Sequence, residues 1–186
     1  MNQLAPQRLT VEEFITWSQA QESGRYELEG GRIIQMAPET LGHIKTKFRV
    51  AMTLTSAVAN AGLPVFVLTD GATVRIGPRT AYEPDAMVYA GPELPDSTIE
   101  ITNPLIVVEV LSPSSGHRDS VQKLKNYFTV ESIQHYLIVD PDERLVLHHR
   151  RGAGSSFVAQ VISEGSLVLD PPGLTLDISD FFSAQT

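Results

Sequence analysis

Two carboxylates lie beside apolar, strand-like runs, although the Pro-Asp pair that contains one of them is also common in turns. Asp85 follows Pro84 at the start of the strand-like run DAMVYA, and Glu109 interrupts the apolar run LIVVEVLS. An unpaired carboxylate in a dry interior costs several kcal/mol even after relaxation, so Glu109 needs a cation, hydrogen-bond donors or access to water. A structural ion pair or a place at the edge of a sheet would meet that need, and so would a functional site.

The segment that follows Glu109 adds three polar residues at helical spacing. Asp119, Lys123 and Tyr127 are four residues apart. On a helix each is therefore turned only about 40° from the last, and the three form one edge. The neighbouring stripe of this helix is apolar: Val121, Leu124 and Phe128. A solvated Asp119–Lys123 pair, with Tyr127 half covering the core, explains this spacing without any chemistry.

The periodicity of the N-terminal third predicts the first elements that surround these residues. Thr10 and Glu13 have the spacing of a capping box before a short amphipathic helix, and Gly30-Gly31 within RYELEGGRIIQMA predicts a hairpin. From about residue 40 to residue 61, apolar residues recur at helical spacing, which predicts one long helix that stops at Gly62. The recurring apolar residues are Ile44, Phe48, Met52, Leu54 and Val58.

The remainder of the chain reads as strands around one further helix. LPVFVLTD, ATVRIG and DAMVYA are predicted strands, and PLIVVEVLS is apolar enough to be a central strand covered on both faces. The helical run HRDSVQKLKNYFTV connects PLIVVEVLS to the buried strand QHYLIVDP, so these two strands should be parallel. Short C-terminal strands and a small helix at ISDFF follow. We expect an α/β fold with a mixed central sheet flanked by helices, formed by one domain over residues 1–186.

Composition excludes several classes of protein. The chain of 186 residues contains no cysteine, which rules out disulfides and cysteine-based metal sites. No apolar run approaches a membrane span, and the first residues lack the features of a secretory signal, so a cytoplasmic protein without membrane contact is expected. The net charge of −8 argues against a large basic surface for nucleic acid, although it allows a local groove or one filled by metal ions.

The motifs taken together resemble a known family. Pro-Asp on one strand, an acidic residue in the next apolar strand and a nearby lysine form the outline of the PD-(D/E)xK nuclease superfamily. The detailed sequence resembles that of the Uma2 family of restriction-endonuclease-like proteins. The matching segments occur in the same order, from about residue 25 to residue 141. The segments that carry this resemblance are RYELEGGRI, the histidine at position 43, EPDAMVY, LIVVEVLSPSS, RDSVQKLKNY and HYLIVDP.

The resemblance implies a metal site and a catalytic lysine. Asp85 and Glu109 would bind Mg²⁺, with Mn²⁺ as an alternative, and Val110 would add its backbone carbonyl. The usual lysine, two residues after the acid, is replaced by Leu111. A lysine from the next helix would take its place. The helical angles alone are compatible with either Lys123 or Lys125 as the catalytic lysine, and the resemblance favours Lys123.

Further residues match family positions in supporting roles. Asp119 and Tyr127 would position the lysine, and Glu27 and His43 would contribute to the site. From the residues alone, Glu27 could instead pair with a neighbouring arginine on its strand, and His43 could be a surface histidine. The other histidines, predicted to be surface residues, are His117, His135, His148 and His149.

Two functions are therefore carried forward. The first is a Mg²⁺-dependent endonuclease that hydrolyses phosphodiester bonds in DNA through a metal-activated water, acting as a homodimer if both strands are cut. The second is a binding or regulatory module that keeps the nuclease fold with little or no turnover. The missing strand lysine and the negative net charge motivate the second hypothesis.

Overall fold

The protein is described by a computed structural model covering residues 8–112, 117–154 and 156–182, with side chains for all of these except residues 117–120. In chain order the helices are α1 (Val11–Gln19), α2 (Leu41–Ala61) and α3 (His117–Tyr127), followed by a 3₁₀ turn at Ile178–Phe181. Thr10 closes the predicted capping box of α1 with Glu13. Gly62 adopts the left-handed conformation, with φ of 60°, which ends α2 as expected.

The described residues form thirteen strands in three sheets. In chain order they are β1 (Tyr26–Glu29), β2 (Arg32–Gln35), β3 (Val65–Thr69), β4 (Thr73–Gly77), β5 (Thr80–Tyr82), β6 (Ala86–Ala90), β7 (Glu100–Ile101), β8 (Pro104–Val110), β9 (His135–Asp140), β10 (Leu145–Arg151), β11 (Phe157–Ile162), β12 (Ser166–Leu169) and β13 (Leu174–Asp177). The central sheet has the order β11-β10-β9-β8-β6-β3. A second sheet has the order β2-β1-β5-β4-β7, and β12 and β13 form a hairpin.

The central sheet is mixed, as predicted. Strands β8 and β9 are parallel and connected through α3, whereas the other pairs in this sheet are antiparallel. The predicted hairpin at Gly30-Gly31 is present between β1 and β2, where both glycines have positive φ. Strands β3 and β4 flank Asp70-Gly71 as predicted but belong to different sheets. The short strands β5 and β7 were not predicted.

The central sheet is covered on both faces, and the alternation of β8 decides which way Glu109 points. Ile106, Val108 and Val110 join the core cluster that contains residues of α2 and of the β12–β13 hairpin. Val107 joins the cluster on the other face, beneath α3 and the second sheet. Because side chains alternate along a strand, Glu109 lies on the same face as Val107, the α3 face.

The buried face of α2 differs from the prediction, and that of α3 differs in part. In α2, Ile44, Phe48 and Met52 are exposed, whereas His43 and Lys47 lie on the buried face together with a set of small and apolar residues. In α3, Val121 of the predicted apolar stripe is 67% exposed, whereas Leu124 and Phe128 pack against the core as predicted. The predicted edge formed by Lys123 and Tyr127 also faces inward, since both side chains are buried. The reason is electrostatic: buried carboxylates lie on the sides of the sheet to which these polar groups turn.

The prediction that the C-terminal histidines lie on the surface is wrong. His135, His148 and His149 are buried in β9 and β10. The Nδ1 of His135 lies 2.8 Å from His148 Nε2, and its Nε2 lies 2.9 Å from the carbonyl oxygen of Pro171. Gln160 of β11 reaches His148 Nδ1 at 2.8 Å. His117 lies outside the residues whose side chains are described.

Candidate functional site

Glu109 is held by two donors from a single helix. Its Oε1 accepts a 2.7 Å hydrogen bond from the Tyr127 hydroxyl and a 3.1 Å hydrogen bond from Lys123 Nζ. Burial raises the pKa of Glu109 to about 7; Lys123 opposes this shift, and the negative charges of Asp85 and Glu27 add to it. Lys123 and Tyr127 reach the same oxygen because they are four residues apart on α3.

Lys123 connects Glu109 to the first hairpin. Its ammonium donates a second hydrogen bond, 3.0 Å long, to Glu27 Oε1, which also accepts from the backbone N–H of Glu83 at 3.1 Å. The ammonium also lies 5.2 Å from the centre of the Tyr82 ring. Lys125, in contrast, is exposed. The structure therefore directs Lys123, and not Lys125, toward Glu109.

Asp85 is fixed beside Glu109 through the backbone of β8. Its Oδ2 accepts a 2.7 Å hydrogen bond from the N–H of Val110, and its Oδ1 lies 3.7 Å from His43 Nε2 and 3.6 Å from Lys47 Nζ. Burial alone would raise the pKa of Asp85, but His43, the Val110 N–H and Lys47 together lower it below its usual value. The hydrogen bond to Asp85 in turn raises the pKa of His43.

An ionic network that was not predicted surrounds Asp85 on the α2 side. Lys47 Nζ donates to Glu39 Oε1 at 2.7 Å and to Asp70 Oδ2 at 2.6 Å. Arg25 also pairs with Glu39 and Asp70. The spacing of His43 and Lys47, four residues apart in α2, was the one signal that could have revealed this inward polar face.

The residues present fit a divalent cation. Within the described side chains, one group of three or more metal-type ligands has its atoms within 4.8 Å of one another, and it consists of Glu39, His43 and Asp85. Carboxylate oxygens suit Mg²⁺ and Mn²⁺, whereas an imidazole ligand is more typical of later transition metals such as Zn²⁺. The predicted ligands Asp85 and Glu109 are neighbours through the hydrogen bond from Val110, whose carbonyl remains a predicted ligand.

The charge balance of the cluster also favours a cation. Within this cluster, the ion-paired groups whose side chains are described comprise six carboxylates and three lysine or arginine side chains. The carboxylates are Glu27, Glu39, Asp70, Glu83, Asp85 and Glu109, and the cations are Arg25, Lys47 and Lys123. Negative charge is therefore in excess when all six carboxylates are ionised.

Most of the predicted site residues converge in this cluster. Asp85, Glu109 and Lys123 lie in one network of hydrogen bonds and ion pairs, with Glu27 and Tyr127 as direct partners. His43 is buried beside Asp85, which excludes the alternative of a surface histidine. The predicted supporting residue Asp119 lies outside the residues whose side chains are described.

Comparisons with known proteins identify related sequences. Residues 11–182 match the model of the Uma2 family, described as "Putative restriction endonuclease". Two uncharacterised proteins of Synechocystis sp. (strain ATCC 27184 / PCC 6803 / Kazusa) are similar: sll1609 is 29% identical over 145 residues, covering 77% of this chain and 81% of that protein. The second, slr1290, is 27% identical over 180 residues, covering 92% of this chain and 90% of that protein.

A solved structure shares the architecture. The crystal structure of "a putative nuclease belonging to DUF820 from Anabaena variabilis ATCC 29413" matches with a TM-score of 0.69 and 19% identity, covering 93% of this chain and 97% of that chain. This likeness confirms the restriction-endonuclease-like fold expected from the sequence. With the family model matched from residue 11 to residue 182, the chain belongs to the Uma2 family.

Proposed function

We propose that this protein is a divalent-metal-dependent endonuclease that hydrolyses phosphodiester bonds in DNA. Its family and fold are those of restriction-endonuclease-like nucleases. The observation that supports the proposal most strongly is the contact of Lys123 Nζ with Glu109 Oε1, beside the buried Asp85. A lysine next to paired acids is the arrangement that the resemblance to the PD-(D/E)xK superfamily implies for metal-assisted phosphodiester hydrolysis.

In this proposal the acids hold Mg²⁺ or Mn²⁺. Asp85 and Glu109 would be ligands with the Val110 carbonyl, and Glu39 and His43 would supply further ligands on the α2 side. The cation would offset the negative charge of the phosphate in the transition state and make a bound water more acidic. The excess of carboxylates in the cluster supports this role for a cation.

The side chains of the protein would then orient the reaction. The Lys123 ammonium would orient the attacking water or neutralise charge that develops on the phosphate oxygens. Tyr127 would hold the carboxylate of Glu109 in one orientation, and Glu27 would hold Lys123. These last two are positioning residues, because their described contacts are with catalytic side chains.

The test is cleavage by the purified protein. We expect loss of supercoiled plasmid in the presence of Mg²⁺ or Mn²⁺ and no loss in EDTA. Asp85→Asn and Glu109→Gln should each lower the rate about 100-fold or more, because each removes a charged ligand. Asp142→Asn, at an exposed position, is the matched control. Folded wild-type protein that cuts no DNA with either metal would contradict the proposal, and cleavage of RNA alone would change the substrate.

The second candidate function is a binding or regulatory module. It is favoured by Leu111 at the usual position of the lysine and by the two carboxylates, Glu27 and Glu109, that engage Lys123. Such a module would bind metal without turnover. Calorimetry that shows Mn²⁺ binding abolished by Asp85→Asn, together with no cleavage of any nucleic acid, would favour this function over the first.

Three further statements belong to the proposal. Residues 1–186 form one domain, the protein acts in the cytoplasm, and two copies associate when both DNA strands are cut. Concerning membranes, none of the helices among residues 8–112, 117–154 and 156–182 combines the length and hydropathy needed for a transmembrane segment.

A further inference from the structure

We propose that strand β11 pairs antiparallel with β11 of a second copy, which joins two central sheets into one continuous sheet. β11 is the last strand of the central sheet and pairs on one side with β10. Its other side presents backbone N–H and C=O groups at the edge of the sheet. This inference supplies an interface for the association of two copies named in the proposed function, and its tests do not depend on nuclease activity.

The residues of β11 make this edge unusual. Phe157, Val158 and Val161 are between 45% and 67% exposed, and the segment from residue 157 to residue 162 contains no charge and no proline. Natural proteins protect exposed edge strands with charges, prolines, bulges or covering segments. The opposite edge, β3, is half-buried from Val65 to Leu68. β11 thus has the composition of an internal strand at an edge position.

The chemistry of the edge specifies the kind of partner. Unpaired backbone donors and acceptors are satisfied by another extended strand, and the uncharged apolar side chains require an apolar one. A second β11 satisfies both conditions without bringing like charges together. The exposed face of α2 lacks this property, since Lys45 and Arg49 flank its apolar residues and would repel their counterparts in an antiparallel pair.

A two-fold axis through the sheet also restricts the register. Facing residues of a continuous sheet point to the same side, so positions of equal parity must pair. With Ala159 on the axis, Phe157 faces Val161 of the partner subunit, which is a favourable aromatic and β-branched pair. The Phe157 ring is already stacked on Phe128 with centroids 5.6 Å apart and planes 4° apart. Its orientation is therefore fixed before association.

The first test measures the oligomeric state by light scattering during gel filtration and by sedimentation. We expect a dimer for the wild type that dissociates on dilution. Val161→Lys should give a monomer, because two lysines would flank the axis on one face. Val168→Lys, 58% exposed on β12, is the matched control and should remain a dimer. A monomeric wild type, or a Val161→Lys variant that is still dimeric, would overturn the proposal.

A second test uses the absence of cysteine from the chain. Ala159→Cys would place two thiols opposite each other on the axis, at the Cα separation that a disulfide accepts. Mild oxidation should convert this variant to a covalent dimer faster than Val168→Cys. Equal rates for the two variants would contradict the proposed register. Because this variant keeps the edge uncharged, the test remains decisive if Val161→Lys fails to fold.

Discussion

Glu109 Oε1 accepts hydrogen bonds from Lys123 and Tyr127, and both donors come from successive turns of α3. The register of one helix therefore sets both contacts. Glu27 Oε1 has a similar double role, since it accepts from Lys123 and from the Glu83 backbone. At the scale of single residues, Glu109 and Glu27 are shared acceptors, and Lys123 donates to both of them.

The assignment of the lysine leads to a first prediction at this scale. Lys123→Met keeps the length of the side chain and removes the ammonium that contacts Glu109. We expect single-turnover cleavage to fall about 100-fold or more, which is typical when a donor to developing charge is removed. Lys125→Met, at an exposed position of the same helix, should cut near the wild-type rate. The reverse outcome would transfer the role to Lys125.

The residues of the site differ in how far the sequence predicts them. Glu109 was identifiable because a carboxylate in an apolar strand must be neutralised. Asp85 was singled out only through the resemblance, because Pro-Asp is also a common turn pair. Glu39 and Lys47 were not identifiable in the same way. Lys47 contacts Glu39 eight residues before it, but its partner Asp70 is 23 residues further on. The spacing of Lys47 alone is equally typical of a solvated surface.

At the scale of elements, local signals were reliable and the assignment of faces was not. The capping box at Thr10 and the glycine pair at Gly30-Gly31 act within a few residues, so the sequence predicts them directly. The parallel pair β8 and β9 follows from the helix between them. The inward face of α2 was missed because its buried side includes His43 and Lys47, whose carboxylate partners come from distant segments.

The capping box leads to a prediction for α1. Thr10 Oγ1 accepts from the N–H of Glu13, and the Glu13 carboxylate accepts from the N–H of Thr10. Thr10→Ala should lower the free energy of unfolding by about 1 kcal/mol, because the N–H of Glu13 loses its side-chain acceptor at the helix end. Thr16→Ala removes the same atoms from an exposed position inside α1 and is the matched control. Denaturation in urea measures both variants, and equal losses would contradict a capping role.

At the scale of the whole molecule, contacts of buried histidine side chains connect strands β9, β10 and β11. The Pro171 carbonyl can only accept, so His135 Nε2 carries a hydrogen and its Nδ1 accepts from His148 Nε2–H. His148 Nδ1 then accepts from the Gln160 amide. This arrangement of donors and acceptors is complete when both rings are neutral. Burial lowers the pKa of each ring to about 4. The positive charge that a protonated His135 would carry lowers the pKa of His148 further.

These shifted values predict how stability depends on pH. An unfolded histidine has a pKa of about 6.5, so between that pH and about 4 the unfolded chain binds protons that the folded protein does not. The free energy of unfolding should therefore fall as the pH is lowered through this range. Thermal melts at a series of pH values measure the effect. His148→Gln removes one titrating group and should flatten the slope, and an unchanged slope would contradict this origin.

The hydrogen bond between Lys123 and Glu27 joins residues 96 positions apart in the chain. Contacts of this kind form late, because the entropy of closing a long loop must be offset before they contribute. During synthesis Glu27 and Asp85 emerge before β8 and α3, which carry Glu109 and Lys123. A nascent chain that lacks β8 and α3 therefore has two of the four members of this cluster, and the contacts of Lys123 can form only after α3 has been synthesised.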